Sequence, residues 1–160
     1  MGQAAGSPGT PPQLPAPPEL FAAPGYVIRR LHQAYVAAWV RRVDPVLTGP
    51  QSAVLVAIHT YPGVDQGSLA RAVSLDRSTM ASIARRLEDR GLITRETPPE
   101  DGRKRLLRLT TAGEAARQEA SRKARELHVL LMEGYDPPEI DAMLRRLLRL
   151  TEHWESLIDD

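Results

Sequence analysis

Hydrophobic side chains recur with a helical period along most of the chain beyond its first 18 residues. An apolar residue at every third or fourth position is typical of an amphipathic helix. Thr48, Thr111 and Asp136 are each followed three residues later by Gln or Glu, which is the spacing of a capping box at a helix start. We therefore predict long helices over residues 26–43, 48–61, 111–134 and 136–158.

The pattern between the second and third of these helices is different. Gln66–Val73 is a short helical run, and residues 74–75 break it. Asp76 is placed to cap a second helix that runs to Arg90, because a carboxylate accepts hydrogen bonds from the free N–H groups of a first turn. Gly91 supplies the left-handed residue that ends such a helix. The predicted inward face consists of Met80, Ile83, Ala84 and Leu87.

Two extended segments follow this helix, Leu92–Glu96 and Arg105–Leu109. The residues between them, Pro98-Pro99-Glu100-Asp101-Gly102, are typical of a turn, so we predict a hairpin. Helix, tight turn, helix and hairpin is the order of a winged helix-turn-helix. The predicted fold class is mainly α with a small β-wing: a winged helix-turn-helix flanked by long dimerisation helices.

The last predicted helix carries an apolar stripe that is close to a heptad repeat. Packing within one chain is one way to cover such a stripe. A two-fold homodimer is the interpretation that we favour, because its symmetry matches a palindromic DNA site. The stripe comprises Ile140, Met143, Leu144, Leu147, Leu150, Trp154, Leu157 and Ile158.

The outward face of the second helix of the motif is basic and rich in hydroxyl groups. Arginine pairs bidentately with guanine, and Ser or Thr reaches base edges or phosphates, so this face suits a DNA major groove. An ordinary solvated helix face is the alternative. The helix-turn-helix before it and the basic hairpin after it favour DNA contact. The candidate residues of the helix are Arg77, Ser78, Thr79, Ser82, Arg85 and Arg86.

Charge is distributed unevenly although the whole chain has a net charge of only +1. Residues 63–110 hold ten Lys or Arg against seven Asp or Glu, a net of +3. Residues 133–160 hold three Arg against eight acids, a net of −5. A basic motif with an acidic far end orients a protein towards phosphate. Double-stranded DNA is therefore the predicted partner.

Composition excludes several classes of chemistry. The 160 residues include no cysteine, so disulfides and thiolate metal sites are excluded. The four histidines lack metal-ligand spacing, and phosphate-loop or nucleophile-elbow motifs are absent from the sequence. We expect no catalytic residues, no metal and no cofactor. With no long apolar run and no signal-peptide pattern, a cytoplasmic protein without a membrane partner is predicted.

Residues 1–18 contain six prolines among Gly, Ala and Ser and leave almost nothing to bury, so a disordered or polyproline-like tail is predicted there. A PxxP ligand is a weaker alternative. The predicted organisation is a tail over residues 1–19, an N-terminal dimerisation helix over 20–46, the winged helix-turn-helix over 47–110 and C-terminal dimerisation helices over 111–160.

The ordered set of motifs from Leu47 to Gly113 resembles the MarR family of multiple-antibiotic-resistance-type regulators. The long helices fall where that family has its dimerisation helices. The matching residues are Leu47, Thr48 and Gln51; Leu69-Ala70; Asp76-Arg77-Ser78-Thr79; Arg86-Leu87-Glu88, Gly91-Leu92-Ile93 and Arg95; Asp101 and Arg103; and Leu109, Thr110 and Gly113.

The resemblance implies an obligate dimer that represses nearby genes from a palindromic operator. It places the recognition helix at the candidate residues given above and the wing signature at Asp101 and Arg103. By analogy Asp101 braces the hairpin and Arg103 enters a minor groove, where narrow A·T tracts attract arginine. Gly102 departs from the family pattern, in which many relatives carry another Arg, so Lys104 or Arg105 is expected to supply a phosphate contact.

The resemblance also implies a small anionic effector, an aromatic acid or its thioester. Arg29 or Arg30 is suited to hold a carboxylate, with Tyr35 and Trp39 stacking on a ring and His32 beside them. The alternative is that Tyr35 and Trp39 belong to a dimer core and the arginines are solvated. A winged-helix module that contacts only proteins is the rival to DNA binding, and it predicts a neutral or apolar recognition face.

Overall fold

A computed structural model describes residues 14–99, 101–102 and 104–158. The described residues form two compact units, the first ending at Val36 and the second beginning at Ala37. Most of the predicted tail lies outside the described residues. The tail was predicted to end at residue 19, and in the structure a 3-10 helix covers Pro18–Ala22. Pro18 opens that turn with a ring that fixes φ near the helical value.

Six α-helices and two strands follow the 3-10 helix in the described part of the chain. The helices are α1 (Pro24–Arg42), α2 (Gly49–Thr60), α3 (Gln66–Ala72), α4 (Arg77–Asp89), α5 (Thr111–Leu131) and α6 (Pro137–Ser156). The strands are β1 (Ile93–Glu96) and β2 (Leu106–Leu109), an antiparallel pair in which Ile93 faces Leu109 and Glu96 faces Leu106. Mostly helical with a small two-stranded sheet is the predicted fold class, and it is confirmed.

Helix starts follow the predicted caps with one exception. The Thr48 and Asp136 capping boxes form at α2 and α6. The cap of α5 is Thr110 rather than the predicted Thr111: its hydroxyl accepts from the Gly113 N–H at 3.0 Å and donates to the Gly91 carbonyl at 2.7 Å. The second bond accounts for the shift by one residue, because it ties the Thr110 hydroxyl to Gly91, which follows the C-cap of α4.

The core of the second unit lies where α2 packs against α3, α5 and β2. α3 in turn packs on α4, and α4 packs on β1. The positions predicted to face inward from α4 are all buried, so that part of the prediction is confirmed. The largest fully buried side chains of this core are Leu47, Leu55, Ile58, Leu69, Met80, Leu87, Ile93, Leu107, Leu127 and Val54.

No described residue of α6 is buried. Its apolar stripe is open over much of its length: Leu147 is 41% exposed and Trp154 is 37% exposed. None of the described helices is long and apolar enough to cross a bilayer.

Candidate nucleic-acid interface

α4 separates its buried and exposed side chains cleanly. Met80, Ala84 and Leu87 have no measurable exposure, and Ile83 is 7% exposed. Because these four residues fix the helix against the core, the opposite face can meet a ligand without disturbing the packing. Each predicted DNA-contacting residue of this helix lies on the exposed side: Arg77, Ser78, Thr79, Ser82, Arg85 and Arg86.

The turn into α4 is short and strained at one residue. Ser74 has a φ of +53°, a left-handed conformation that a non-glycine residue rarely adopts. The Leu75 N–H donates to the Ala70 carbonyl at 2.9 Å and closes the end of α3. This turn sets the angle between α3 and α4.

Asp76 caps α4 and binds both hydroxyl groups of the first turn. Its Oδ1 accepts from the Thr79 N–H at 2.9 Å and from the Ser78 Oγ at 2.5 Å. Its Oδ2 accepts from the Thr79 Oγ1 at 2.5 Å. These donors, the Ser78 hydroxyl first, hold the pKa of Asp76 far below its ordinary value. The carboxylate is therefore charged at neutral pH.

An ion pair fastens the far end of α4 to the wing. The Arg95 guanidinium on β1 donates through Nε to a Glu88 carboxylate oxygen at 2.6 Å, with both side chains partly buried. Gly91, with φ of +68°, ends the helix in the left-handed conformation that its position predicts. The wing and α4 are thus held in a fixed relative orientation.

The wing tip is organised by Asp101 and its neighbours. The Asp101 N–H donates to the Pro98 carbonyl at 3.2 Å, and the Lys104 N–H donates to the Asp101 carbonyl at 3.1 Å. The Lys104 ammonium lies 3.6 Å from the Asp101 carboxylate. Arg105 donates to the carbonyls of Gly102 and Lys104 at 2.9 and 3.0 Å. Arg103, the predicted minor-groove residue, lies outside the described residues.

A basic cleft of about 340 Å³ lies between α3, the start of α4 and the wing. The side-chain oxygen of Gln66 is buried there, and none of the described residues forms a hydrogen bond with it. Sequence reasoning had assigned this glutamine no role. The lining residues are Asp65, Gln66, Gly67, Ala70, Arg77, Met80, Lys104 and Arg105.

The predicted effector residues lie along α1, where Arg29, Arg30 and His32 are exposed and Tyr35 is half-buried. Burial raises the pKa of Tyr35. Trp39 is only 5% exposed, and its Nε1 donates to the Leu47 carbonyl at 2.8 Å. That bond gives Trp39 a structural role in its own chain, and its part in ligand binding stays a prediction.

Two aromatic rings that sequence reasoning missed accompany the arginines of α1. The Arg29 guanidinium lies 5.6 Å from the centre of the Tyr26 ring, and that of Arg30 lies 5.8 Å from the centre of the Phe21 ring. The two rings meet edge to face, with centres 5.9 Å apart. The apolar pattern of α1 gave no signal for Phe21, because that residue precedes the helix.

A second concavity, of about 640 Å³, was also missed. It lies beside the end of α2, β2 and the start of α5, and His59, Arg108, Glu114 and Gln118 are among its lining residues. The His59 Nδ1 lies 3.0 Å from a Glu114 carboxylate oxygen. No local sequence signal links residues that stand 55 positions apart.

Metal and catalytic sites were not expected from the sequence. Among the described residues, no group of three or more His, Asp or Glu side chains is arranged to hold a metal ion.

Known proteins are similar to this chain in sequence and in fold. The family model described as "MarR family" matches residues 47–104. The chain is similar to the transcriptional regulator HosA of Escherichia coli O111:H-, with 41% identity over 87 residues, which are 54% of this chain and 64% of HosA. The chain therefore spans slightly less than two thirds of the length of that curated relative.

Two solved structures are similar over nearly their whole length. The PcaV transcriptional regulator from Streptomyces coelicolor, in complex with its natural ligand, has a TM-score of 0.82 and 34% identity over 86% of this chain and 97% of PcaV. The transcriptional repressor CouR, bound to a 23-mer DNA duplex, has a TM-score of 0.76 and 29% identity over 84% of this chain and 96% of CouR.

Proposed function

The chain belongs to the MarR family, and from this premise we propose that it is a sequence-specific DNA-binding repressor. It acts as a homodimer on a palindromic operator and is released by a small aromatic anion. The proposed role is regulatory rather than catalytic, and the proposed location is the cytoplasm. HosA is a transcriptional regulator, and CouR is a repressor that binds duplex DNA, which supports the proposal.

The observation that carries this proposal is the division of α4 into two faces. Four apolar side chains hold the helix against the core, while three arginines and three hydroxyl side chains stand exposed on the same element. This is the combination that a helix needs to enter a major groove, where arginine reads guanine and hydroxyl groups reach base edges. A protein-interaction module would not require the basic face.

The wing supplies the second proposed contact. Lys104 and Arg105 are exposed at its tip, beside the basic cleft that also takes in Arg77. A phosphate group fits the charge of that cleft. Arg103 is proposed to enter the adjacent minor groove, on the resemblance of the wing signature alone, and Asp101 is proposed to hold the tip that presents it.

The proposed homodimer is supported by the uncovered stripe of α6. Leu144, Leu147 and Trp154 are each between 37% and 45% exposed on one helix. Leaving such a contiguous apolar surface in water is unfavourable by roughly 25 cal/mol for each Å². In a two-fold dimer the stripes of the two chains cover each other, and the two recognition helices can reach two half-sites.

The proposed effector site uses the arginines of α1. Arg29 and Arg30 each rest on an aromatic ring, which holds the guanidinium while leaving its donor edge open to a carboxylate. His32, Tyr35 and Trp39 are the further proposed ligand residues. PcaV has been solved with a natural ligand, which supports a small-molecule effector.

A mobility-shift assay with the DNA upstream of the gene tests the proposal. We expect a specific protein–DNA complex. A benzoate, a hydroxycinnamate or one of their thioesters should dissociate it. Binding of that compound, measured by calorimetry, is expected to fall for Arg29→Ala or Arg30→Ala, with DNA affinity unchanged in its absence. Arg41→Ala, on the same helix, is the control. Failure to form a complex with the upstream DNA would contradict the repressor function. A complex that none of these compounds dissociates would contradict the proposed effector class.

A further inference from the structure

The protons of two hydroxyl groups on the recognition helix are already committed within the protein. Ser78 and Thr79 each place their hydroxyl oxygen 2.5 Å from a carboxylate oxygen of Asp76. An ionised carboxylate has no proton to give, so each hydroxyl must be the donor in these contacts. Each hydroxyl oxygen keeps its lone pairs, and both residues are exposed.

We propose that Asp76 sets the polarity of base reading: it makes Ser78 and Thr79 acceptors, so that they select the amino group of adenine or cytosine. This inference rests on the proposed DNA-binding function of α4. In the major groove adenine presents N6–H₂ and cytosine presents N4–H₂, whereas guanine presents two acceptors and thymine presents O4. A hydroxyl whose proton is free can serve either kind of base.

The same carboxylate occupies the place at the start of α4 where a DNA phosphate could otherwise bind. A helix N-terminus normally attracts phosphate, because its free N–H groups and dipole favour an anion. At α4 the Thr79 N–H is bonded to Asp76 Oδ1 at 2.9 Å, and the negative charge is supplied by the protein. The low pKa of Asp76 keeps that charge in place at neutral pH. A phosphate group at the Thr79 N–H meets a charge of its own sign, so the side chains of Ser78 and Thr79 are left to contact base edges.

Asp76 is therefore a positioning residue, and its replacement changes which bases are preferred. Asp76→Ser keeps a good N-cap, because the Ser hydroxyl oxygen can accept from the Thr79 N–H, but it removes the two carboxylate oxygens that accept the hydroxyl protons of Ser78 and Thr79. The chain offers a control in Asp136, the N-cap of α6, which does not line the basic cleft. Its carboxylate accepts from the Glu139 N–H at 2.8 Å, so Asp136→Ser changes a helix cap in the same way outside the recognition helix.

Selection from a pool of half-sites randomised within the operator, followed by anisotropy titrations, tests the proposal. We expect wild type to prefer adenine or cytosine over guanine or thymine by about tenfold at one or two positions. Asp76→Ser should lose or invert that preference, and Asp136→Ser should keep it. Ser78→Ala, an exposed change that spares the cap, should abolish the preference at one position without inverting it.

The outcomes separate this inference from the proposed function. Specific binding by wild type, with a base profile that is unchanged in Asp76→Ser and in Ser78→Ala, overturns the inference alone. A uniform gain in affinity for every sequence in Asp76→Ser also overturns it, since that result assigns Asp76 only a repulsive charge. If wild type binds no sequence specifically, the proposed function itself fails.

Discussion

Glu114, in the first turn of α5, binds three side chains at once. Its Oε1 accepts from Arg117 at 2.6 Å and from Gln118 at 2.9 Å, and its Oε2 lies 3.0 Å from the His59 ring. The Arg117 and Gln118 donors lower the pKa of Glu114 to about 2. At the scale of single residues this carboxylate ties the end of α2 to the start of α5, immediately behind the wing.

Acid should weaken this connection in a defined window. Because the pKa of Glu114 is lower in the folded chain than its ordinary value of 4.5, its contribution to stability is present above that value. The contribution is lost as pH falls from about 4.5 towards 2. The free energy of unfolding of Glu114→Gln, measured with urea at several pH values, should therefore be lower than that of wild type at neutral pH. In acid the two free energies should become equal. Glu126→Gln, on the exposed side of α5, controls for the loss of one carboxylate; a gap that persists in acid contradicts the assignment.

At the scale of elements, the wing is anchored where the backbone of Leu92 meets the start of α5. The Thr110 N–H donates to the Leu92 carbonyl at 3.1 Å. Gly113 is buried at this junction, and a Cβ built on it would lie 1.9 Å from the same carbonyl oxygen. Only glycine permits so close an approach of helix and strand, so the position of the wing depends on this residue.

Gly113→Ala should therefore destabilise the fold, although alanine is the better helix former. Overpacking of this kind costs roughly 1–3 kcal/mol, more than the gain of about 1 kcal/mol in helix propensity. Gly25→Ala is the matched control, since Gly25 lies in the first turn of α1 with nothing within 4 Å of the added Cβ. Chemical denaturation should show a lower free energy of unfolding than wild type for Gly113→Ala and a higher one for Gly25→Ala. A Gly113→Ala protein as stable as wild type would contradict the close packing.

The features of the motif that depend on neighbouring residues could be predicted from the sequence. Met80 and Leu87 are buried and Asp76 caps α4, because side-chain periodicity and capping act over a few residues. Both strands begin one residue later than predicted, at Ile93 and Leu106. Strand ends are set by the partner strand, and neither segment alone determines where the pairing between them begins.

Contacts between distant segments could not be predicted in the same way. The choice of Thr110 over Thr111 as a cap depends on the carbonyl of Gly91, 19 residues away. The Glu88–Arg95 pair requires the angle between α4 and β1, which only the folded core supplies. The commitment of the Ser78 and Thr79 protons to Asp76 lies within four residues, yet only side-chain geometry reveals it.

At the scale of the whole molecule, α6 has an apolar stripe that the described part of its own chain leaves open. A charge within the stripe should separate a dimer without unfolding the second unit, because no described residue of α6 is buried in that unit's core. Leu147→Arg should therefore give a species near the chain mass of 17.7 kDa by light scattering, and wild type should give twice that mass.

The control for this change is Arg149→Leu, which alters charge and size on the same helix but outside the stripe. It should leave the mass of the dimer unchanged. A Leu147→Arg protein that keeps the wild-type mass would place the dimer interface on another surface.

We propose that the exposed face of α4 reads DNA, and the affinity of the full chain for DNA upstream of its gene and for a scrambled duplex tests this role. Anisotropy titrations at several salt concentrations should give at least about 10³-fold tighter binding to the upstream DNA. Arg85→Ala and Arg86→Ala should each weaken that binding by about 1–3 kcal/mol, while Arg122→Ala on α5 should not. Equal affinity for both duplexes, or unchanged binding by both α4 variants, would contradict the proposed role of α4 in reading DNA.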